Sequence, residues 1–405
     1  MHKSFSIAGI LLILIGFLET TWAFDRDLEL NIPDFQGENF LDIKSYQLRP
    51  DLDEKWYETT NGLRIMSGSL GLDFLYLLAE LRILQPVHEY VVVNYQLKQE
   101  EFYAIKPIRQ QVEVQFHFLE PYVISMFGFP AYDKRTGEIG AALRIGTDPW
   151  NYLRLSYLEQ APYYNEKNFE DDRFITEPIE QEIEGAYRFL DKWRGRFRLL
   201  LDRALEHYFP KEELTFKHEG EDASFVLEYK PKDQEMWGIR YQGFHFKKAR
   251  LTPLLTDTDN RRQTLQFIST DVYWMNESLW NRYLLNVGIR YDRFRNLLRN
   301  LNNINKDYNY QFETWQIYGI VVQPLTDNIK IDYGLYAGKA TEIQNILTNA
   351  TPDQHDEGLE AKLRVSLEIH HPEKNGHLFF TTTWNADDLF ADFWDGGQIA
   401  YQTRF

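Results

Sequence analysis

The feature that most constrains this chain is alternation. In LEAKLRVSLEIH the positions Leu359, Ala361, Leu363, Val365, Leu367 and Ile369 are apolar, and Glu360, Lys362, Arg364, Ser366, Glu368 and His370 between them are polar. A helix would scatter both sets around its axis, whereas a strand puts each on its own face. The pattern recurs in QVEVQFHF, where Val112, Val114, Phe116 and Phe118 oppose Glu113, Gln115 and His117. It returns in NIKIDYGLYAG, with Ile331, Tyr333 and Leu335 against Lys330 and Asp332, and in VVVNYQL, with Val91, Val93, Tyr95 and Leu97. The chain is expected to be all-β.

The front of the chain narrows the compartment. Lys3 precedes the apolar run IAGILLILIGFL, and TWA follows, so residues 1–23 read as a secretory signal peptide cut after Ala23. Beyond it no apolar run reaches the ~20 residues of a spanning helix. There is no cysteine, so neither disulfides nor thiolate metal sites are available. A formal net charge of -17 excludes a general nucleic-acid binder. Aromatic residues make up 16% while mean hydropathy is only -0.48, an unusual combination for a soluble enzyme of this length.

The connections alternate in length along the chain. KPKDQE, MNES, QPLTDN and HPEKNG are short, whereas KKARLTPLLTDTDNR, RNLLRNLNNINKDYN, GKATEIQNILTNATPDQHDEG and NADDLFADFWDG are long. Short turns at one end and long loops at the other are the layout of a closed antiparallel transmembrane β-barrel, with its apolar faces toward lipid. Counting gives about 18 strands (16–18) over residues 61–405, with the bend at SGSLG and the stretch 203–222 as the weakest points. The even number puts both barrel ends in the periplasm. Residues 24–60 carry ten acidic and four basic residues and read as a periplasmic tail or a plug.

The chain closes on GGQIAYQTRF, in which Ile399, Tyr401, Thr403 and Phe405 fall on one face of an extended segment. A terminal strand ending in Phe resembles the C-terminal signal of Gram-negative outer-membrane β-barrels, in which the barrel assembly machinery reads that strand and closes it on the first. Tyr401, Thr403 and Phe405 match that signal, with Thr403 less apolar than the usual pattern. The resemblance implies an outer-membrane location in contact with lipid and lipopolysaccharide. It extends in architecture alone to porins and to the alginate-export family.

Candidate chemistry lies on the polar faces. KWRGRFRLL puts Arg194, Arg196 and Arg198 on one face, and Arg290, Lys362 and Arg364 fall on polar faces too. Together with Lys330, Glu113, His117 and Asp332 they are the pore-lining candidates, since ladders of cationic side chains suit anion pores. The competing reading is structural: the arginines pair with Glu113, Asp292, Asp332, Glu360 and Glu368 and stiffen the wall. The acidic stretch Asn165–Glu184 reads as an exposed loop, or as a loop folded inward to face the arginines. The clusters at Asp257 and Asp259, and at Asp353, Asp356 and Glu357, lack the ligand spacing of a calcium loop. His370 and His371 are two ligands short of a metal site. The aspartate pairs 171–172 and 387–388 sit in no enzyme motif, so no catalysis and no cofactor are expected.

The expected function is a porin-like channel for small polar, including anionic, solutes. The alternatives are an anionic-polysaccharide exporter, or a plugged barrel anchoring a partner protein. Homo-oligomerisation stays open, because nothing in the sequence marks an interface.

Overall fold

The computed structural model describes residues 61–405 apart from 71–73, 103–107, 130–137, 149–150, 161–172, 177–178, 191, 210–213, 252–259, 280–281, 302–307, 347–353, 372–375, 387–393 and 405. The expected signal peptide and the segment 24–60 lie outside these residues, as do Asp257, Asp259 and Phe405. The strands are β1 (Gly62–Leu70), β2 (Phe74–His88), β3 (Val91–Phe102), β4 (Ile108–Leu119), β5 (Tyr122–Phe129), β6 (Glu138–Asp148), β7 (Asn151–Gln160), β8 (Arg173–Thr176) and β9 (Ile179–Phe189). They continue as β10 (Trp193–Phe209), β11 (Leu214–Lys232), β12 (Glu235–Leu251), β13 (Arg261–Leu279), β14 (Tyr283–Asn300), β15 (Tyr308–Thr326), β16 (Ile329–Ile346), β17 (Gln354–His371), β18 (Gly376–Asn385) and β19 (Trp394–Arg404).

Neighbouring strands pair antiparallel throughout. β8 and β9 lie end to end against β10, at Glu206↔Thr176 and Arg203↔Ile179, so together they make one stave of the wall. β19 then pairs with β1 from Gly62↔Arg404 to Leu70↔Gly396, with Tyr401 opposite Ile65 and Thr403 opposite Leu63. The result is a closed 18-strand barrel. Closure satisfies the backbone of every stave without leaving an edge, which is what hydrocarbon demands.

The wall is one layer thick, so an outward side chain has no protein above it and a fully buried one must point inward. Glu113, Arg290, Asp332 and Arg364 are all less than a twentieth exposed and therefore face the interior. Their outward neighbours are apolar and bare: Ile289 is 52% exposed, Ile317 67% and Leu335 54%. This is the reverse of a soluble fold, in which the apolar face would be the covered one. Aromatic rings crowd the outer face beside the short turns, where Phe189, Trp193, Tyr229, Trp237 and Trp274 follow one another in register from β9 to β13. Tyr291 and Trp315 lie further along their strands toward the long loops, with ring centroids 4.5 Å apart. Such rings belong at a membrane–water boundary.

Strand length is where the sequence reading needs correction. β10 to β17 run 17–19 residues each, about twice the 9–11 needed to cross a bilayer. Much of what reads as long loop is therefore strand: RNLLRNLNNINKDYN is paired up to Asn300 and again from Tyr308, and GKATEIQNILTNATPDQHDEG up to Ile346 and again from Gln354. Above the apolar belt the outer face meets water and turns polar while the inner face stays packed, with Phe267, Phe294, Tyr310 and Phe312 buried, so the apolar-outward alternation ends while backbone pairing continues, as at Asn309↔Asn345. The stretch 203–222 likewise belongs to β10 and β11, and SGSLG ends a hairpin between β1 and β2.

Candidate functional site

The inner wall is built from rows of residues that the register sets side by side. One row runs Arg194–Glu228–Gly238–Tyr273–Gly288–Tyr318–Tyr336–Lys362 from β10 to β17. Glycine alternates with tyrosine here for a steric reason. A Cβ on Gly238 would lie 2.2 Å from the Tyr273 ring, and one on Gly288 2.5 Å from the Tyr318 hydroxyl. Each tyrosine therefore folds flat across its glycine neighbour and reaches the strand beyond. The Tyr273 hydroxyl donates to Glu228 at 2.7 Å, and that of Tyr318 to Asp271 at 3.0 Å. Met236, Met275 and Ile320 pack with these rings into an inward-facing apolar cluster.

The next row, one inward step toward the long loops, is Arg196–Val226–Arg240–Asp271–Arg290–Gln316. Asp271 thus sits between two guanidinium groups on adjacent strands. Arg290 pairs with Asp292 at 2.6 Å, and Arg240 lies over the Tyr273 ring at 5.6 Å. Cation and anion are interleaved, as low-dielectric surroundings require when charges are buried.

The arginine face of β10 points inward and is matched by carboxylates on both neighbouring strands. Arg194 ion-pairs with Glu228, and Arg198 donates to Glu182 from two nitrogens at 3.0 and 2.7 Å. Arg154 on β7 bridges Glu113 at 3.3 Å and Glu184 at 3.5 Å. Glu182 and Glu184 come from the acidic stretch that reads as an exposed loop. Its last six residues, from Ile179 to Glu184, instead belong to strand β9, whose inward carboxylates meet the arginines across the β9–β10 and β7–β9 pairings.

All ten pore-lining candidates fall on the inward face, but they do not form one ladder. Arg194, Arg196 and Arg198 stand on β10, while Lys330, Asp332, Lys362 and Arg364 stand on β16 and β17, six and seven staves away. In that second group Lys330 lies 4.0 Å from Glu368, which also pairs with His377 at 3.0 Å. The Arg364 guanidinium donates to Ser366 at 3.3 Å, and Asp332 lies opposite Ser366 in register. Arg290 is between the groups, and Glu113 and His117 are on β4. His370 stacks on His377 at 4.4 Å, and no set of three metal-ligating side chains occurs among the described residues. Glu357, from the acidic PDQHDEG, is ion-paired to Lys339 on the outer face.

Arg154, Glu228, Arg240, Asp271, Tyr273 and Tyr318 were not singled out by sequence, although they hold this network together. The available signal was Gly238 and Gly288 occurring in phase with the inward set of strands otherwise rich in large side chains.

Access to water varies along the inner wall. The side chains of Arg198 and Glu184 on β10 and β9 are 45% and 26% exposed and that of Lys330 on β16 is 47% exposed, whereas Asp271, Arg290, Asp292 and Asp332 on β13–β16 are at or below 3%.

An apolar exterior, a charged interior and closure of the last strand on the first decide the architecture. The fold is that of the outer-membrane β-barrels. No family model matches the chain, and no curated protein matches its sequence. Among solved structures the chain is similar to a bacterial polysaccharide outer-membrane secretin, with 11% identity over 86% of this chain and 99% of that one and a TM-score of 0.40. A Pseudomonas aeruginosa OccK2 structure in complex with glucuronate gives 11% identity, coverage of 85% and 97%, and a TM-score of 0.40. A loop-deletion mutant of OmpT, an outer membrane protein of Vibrio cholerae, gives 11%, coverage of 85% and 97%, and 0.38. At such values the functional reading has to come from the chain's own geometry.

Proposed function

We propose that this barrel is an outer-membrane channel for small polar solutes, with its conducting path along the β7–β10 side of the interior. The supporting observation is the half-exposed Arg198 on an inward face that also carries Arg154, Glu182 and Glu184. Eighteen strands enclose more space than side chains of a single layer fill, so an aqueous lumen is the default. The charges beside that lumen are paired, so discrimination between anions and cations is weak. What the wall offers a solute is a run of hydrogen-bond donors and acceptors that replaces part of its hydration shell.

The test is conductance of the refolded protein in a planar bilayer, with reversal potential measured across a salt gradient. Open events with a small anion preference that falls in Arg198→Ala are the expected result. The dense β13–β16 wall favours a second reading, in which the interior is filled and the barrel anchors a partner. A barrel that folds and inserts but stays silent would overturn the channel and leave that one.

A further inference from the structure

At the short-turn end of β16, β17 and β18 the inner wall carries a cluster of titratable side chains that the arginine network does not use. Alternation sets Glu368 and His370 on the inner face of β17, and the register places Lys330 of β16 opposite Glu368 and His377 of β18 opposite His370. The two imidazole rings lie face to face, 4.4 Å apart between centroids and 24° from parallel. His377 Nδ1 is 3.0 Å from one oxygen of the Glu368 carboxylate, and Lys330 Nζ is 4.0 Å from the other. Lys330 and His377 keep 47% and 29% of their side-chain exposure while Glu368 beneath them is buried, so the cluster is wetted from one side.

The wall fixes this stack from both sides. The His370 N–H donates to the Asn328 carbonyl at 2.7 Å, which ties β17 to the β15–β16 turn, and the His377 ring lies 5° from parallel with that of Phe379. Beyond His377 the register continues to Gln402 of β19, buried and uncharged, and then to Arg64 of β1, while Arg404 stands two residues further along β19. His371 follows His370, but alternation turns it to the outer face. On the strands that flank the pair, the charges in contact are therefore Lys330 and Glu368, and these cancel.

We propose that His370 and His377 form a coupled proton switch that sets the charge of the short-turn mouth. Imidazole is the side chain whose charge ordinarily changes between about pH 5 and pH 8. With both rings neutral the cluster adds no net charge to the wall. The first proton enters beside the Glu368 carboxylate, whereas the second puts like charges on two rings 4.4 Å apart and is resisted until the pH falls further. Acidification thus adds positive charge to this mouth in two steps, and the resulting field favours the entry of anions over cations. The effect on solutes rests on the reading of the barrel as a channel; the coupling of the two rings does not.

The experiment labels the histidine rings of the refolded protein with a nitrogen isotope and follows them by NMR in a neutral detergent from about pH 8 to about pH 4.5. His370→Gln and His377→Gln assign the two rings. In the wild type two steps at least about one pH unit apart are expected, and each single variant should leave its remaining ring titrating in one step, above the second wild-type step. Rings that titrate together, each unaffected by loss of the other, overturn the proposal. In a planar bilayer the anion-over-cation permeability ratio should rise about two- to threefold from about pH 7.5 to about pH 5, and His370→Gln/His377→Gln should lose most of that rise. An equal rise in the double variant also overturns it. A barrel whose rings titrate in two steps but which never conducts defeats the channel and keeps the switch, so the two failures are separable.

Discussion

Glu228 is the carboxylate on which the inner wall depends most, and removing it tests the network directly. It is 2% exposed, ion-paired to Arg194 and hydrogen-bonded by Tyr273. Replacing it with Ala leaves Arg194 facing a cavity and the Tyr273 hydroxyl without its acceptor. Breaking one half of a fully buried pair costs about 3–5 kcal/mol. Because Arg194 keeps 17% side-chain exposure, water reaches part of the stranded guanidinium, and we expect roughly 2–4 kcal/mol instead. The assay is equilibrium urea unfolding from neutral vesicles, followed by tryptophan fluorescence. Arg194→Met/Glu228→Leu removes both charges, and should come back to within about 1 kcal/mol of the wild type, since an apolar pair of similar volume replaces a buried ion pair at little cost. In bilayers Glu228→Ala should also move the reversal potential toward anions, because Arg194 then carries an uncompensated charge. A loss under about 1 kcal/mol, or a double variant no more stable than Glu228→Ala, would refute the reasoning.

Two further outcomes follow from the same geometry. Gly238→Ala should cost about 1–3 kcal/mol, because its Cβ would occupy the place of the Tyr273 ring; in a Tyr273→Ala background the same change should cost almost nothing, as a double-mutant cycle in urea will report. Leu335→Arg, on the bare outer face two outward steps below the level of Trp315, should cost roughly 2–4 kcal/mol in vesicles, where the arginine meets hydrocarbon near mid-membrane. A neutral result there would mean that this face does not look onto lipid.

The inner and outer faces were legible in the sequence because a strand has period two and a bilayer imposes opposite chemistry on its two sides. From LEAKLRVSLEIH alone the inward assignment of Lys362 and Arg364 follows, and from KWRGRFRLL that of the three β10 arginines. Strand ends were less legible. Past Tyr291 the outer face of β14 meets water and carries Arg293, Arg295 and Arg299, so the apolar-outward pattern ends and the stretch to Asn300 passes for loop, although Phe294 and Asn296 stay buried on the inner face. The acidic run ending at Glu184 was misjudged for a related reason: a dense charge run is usually solvated, and nothing local says that arginines on adjacent strands neutralise it.

The sequence by itself thus determined the all-β class, the approximate strand number, the membrane-facing sense of the alternation and the sides from which charges project. Only the tertiary structure decided which charges meet. Pairing partners depend on register, a relation between strands that a single strand's pattern does not encode. A shift of two residues between β10 and β11 would keep every side chain on its own face and yet move Arg194 away from Glu228. Elsewhere in the wall, between β12 and β13 and between β14 and β15, register is fixed by the packing of Tyr273 over Gly238 and of Tyr318 over Gly288, contacts that exist only once the strands lie side by side.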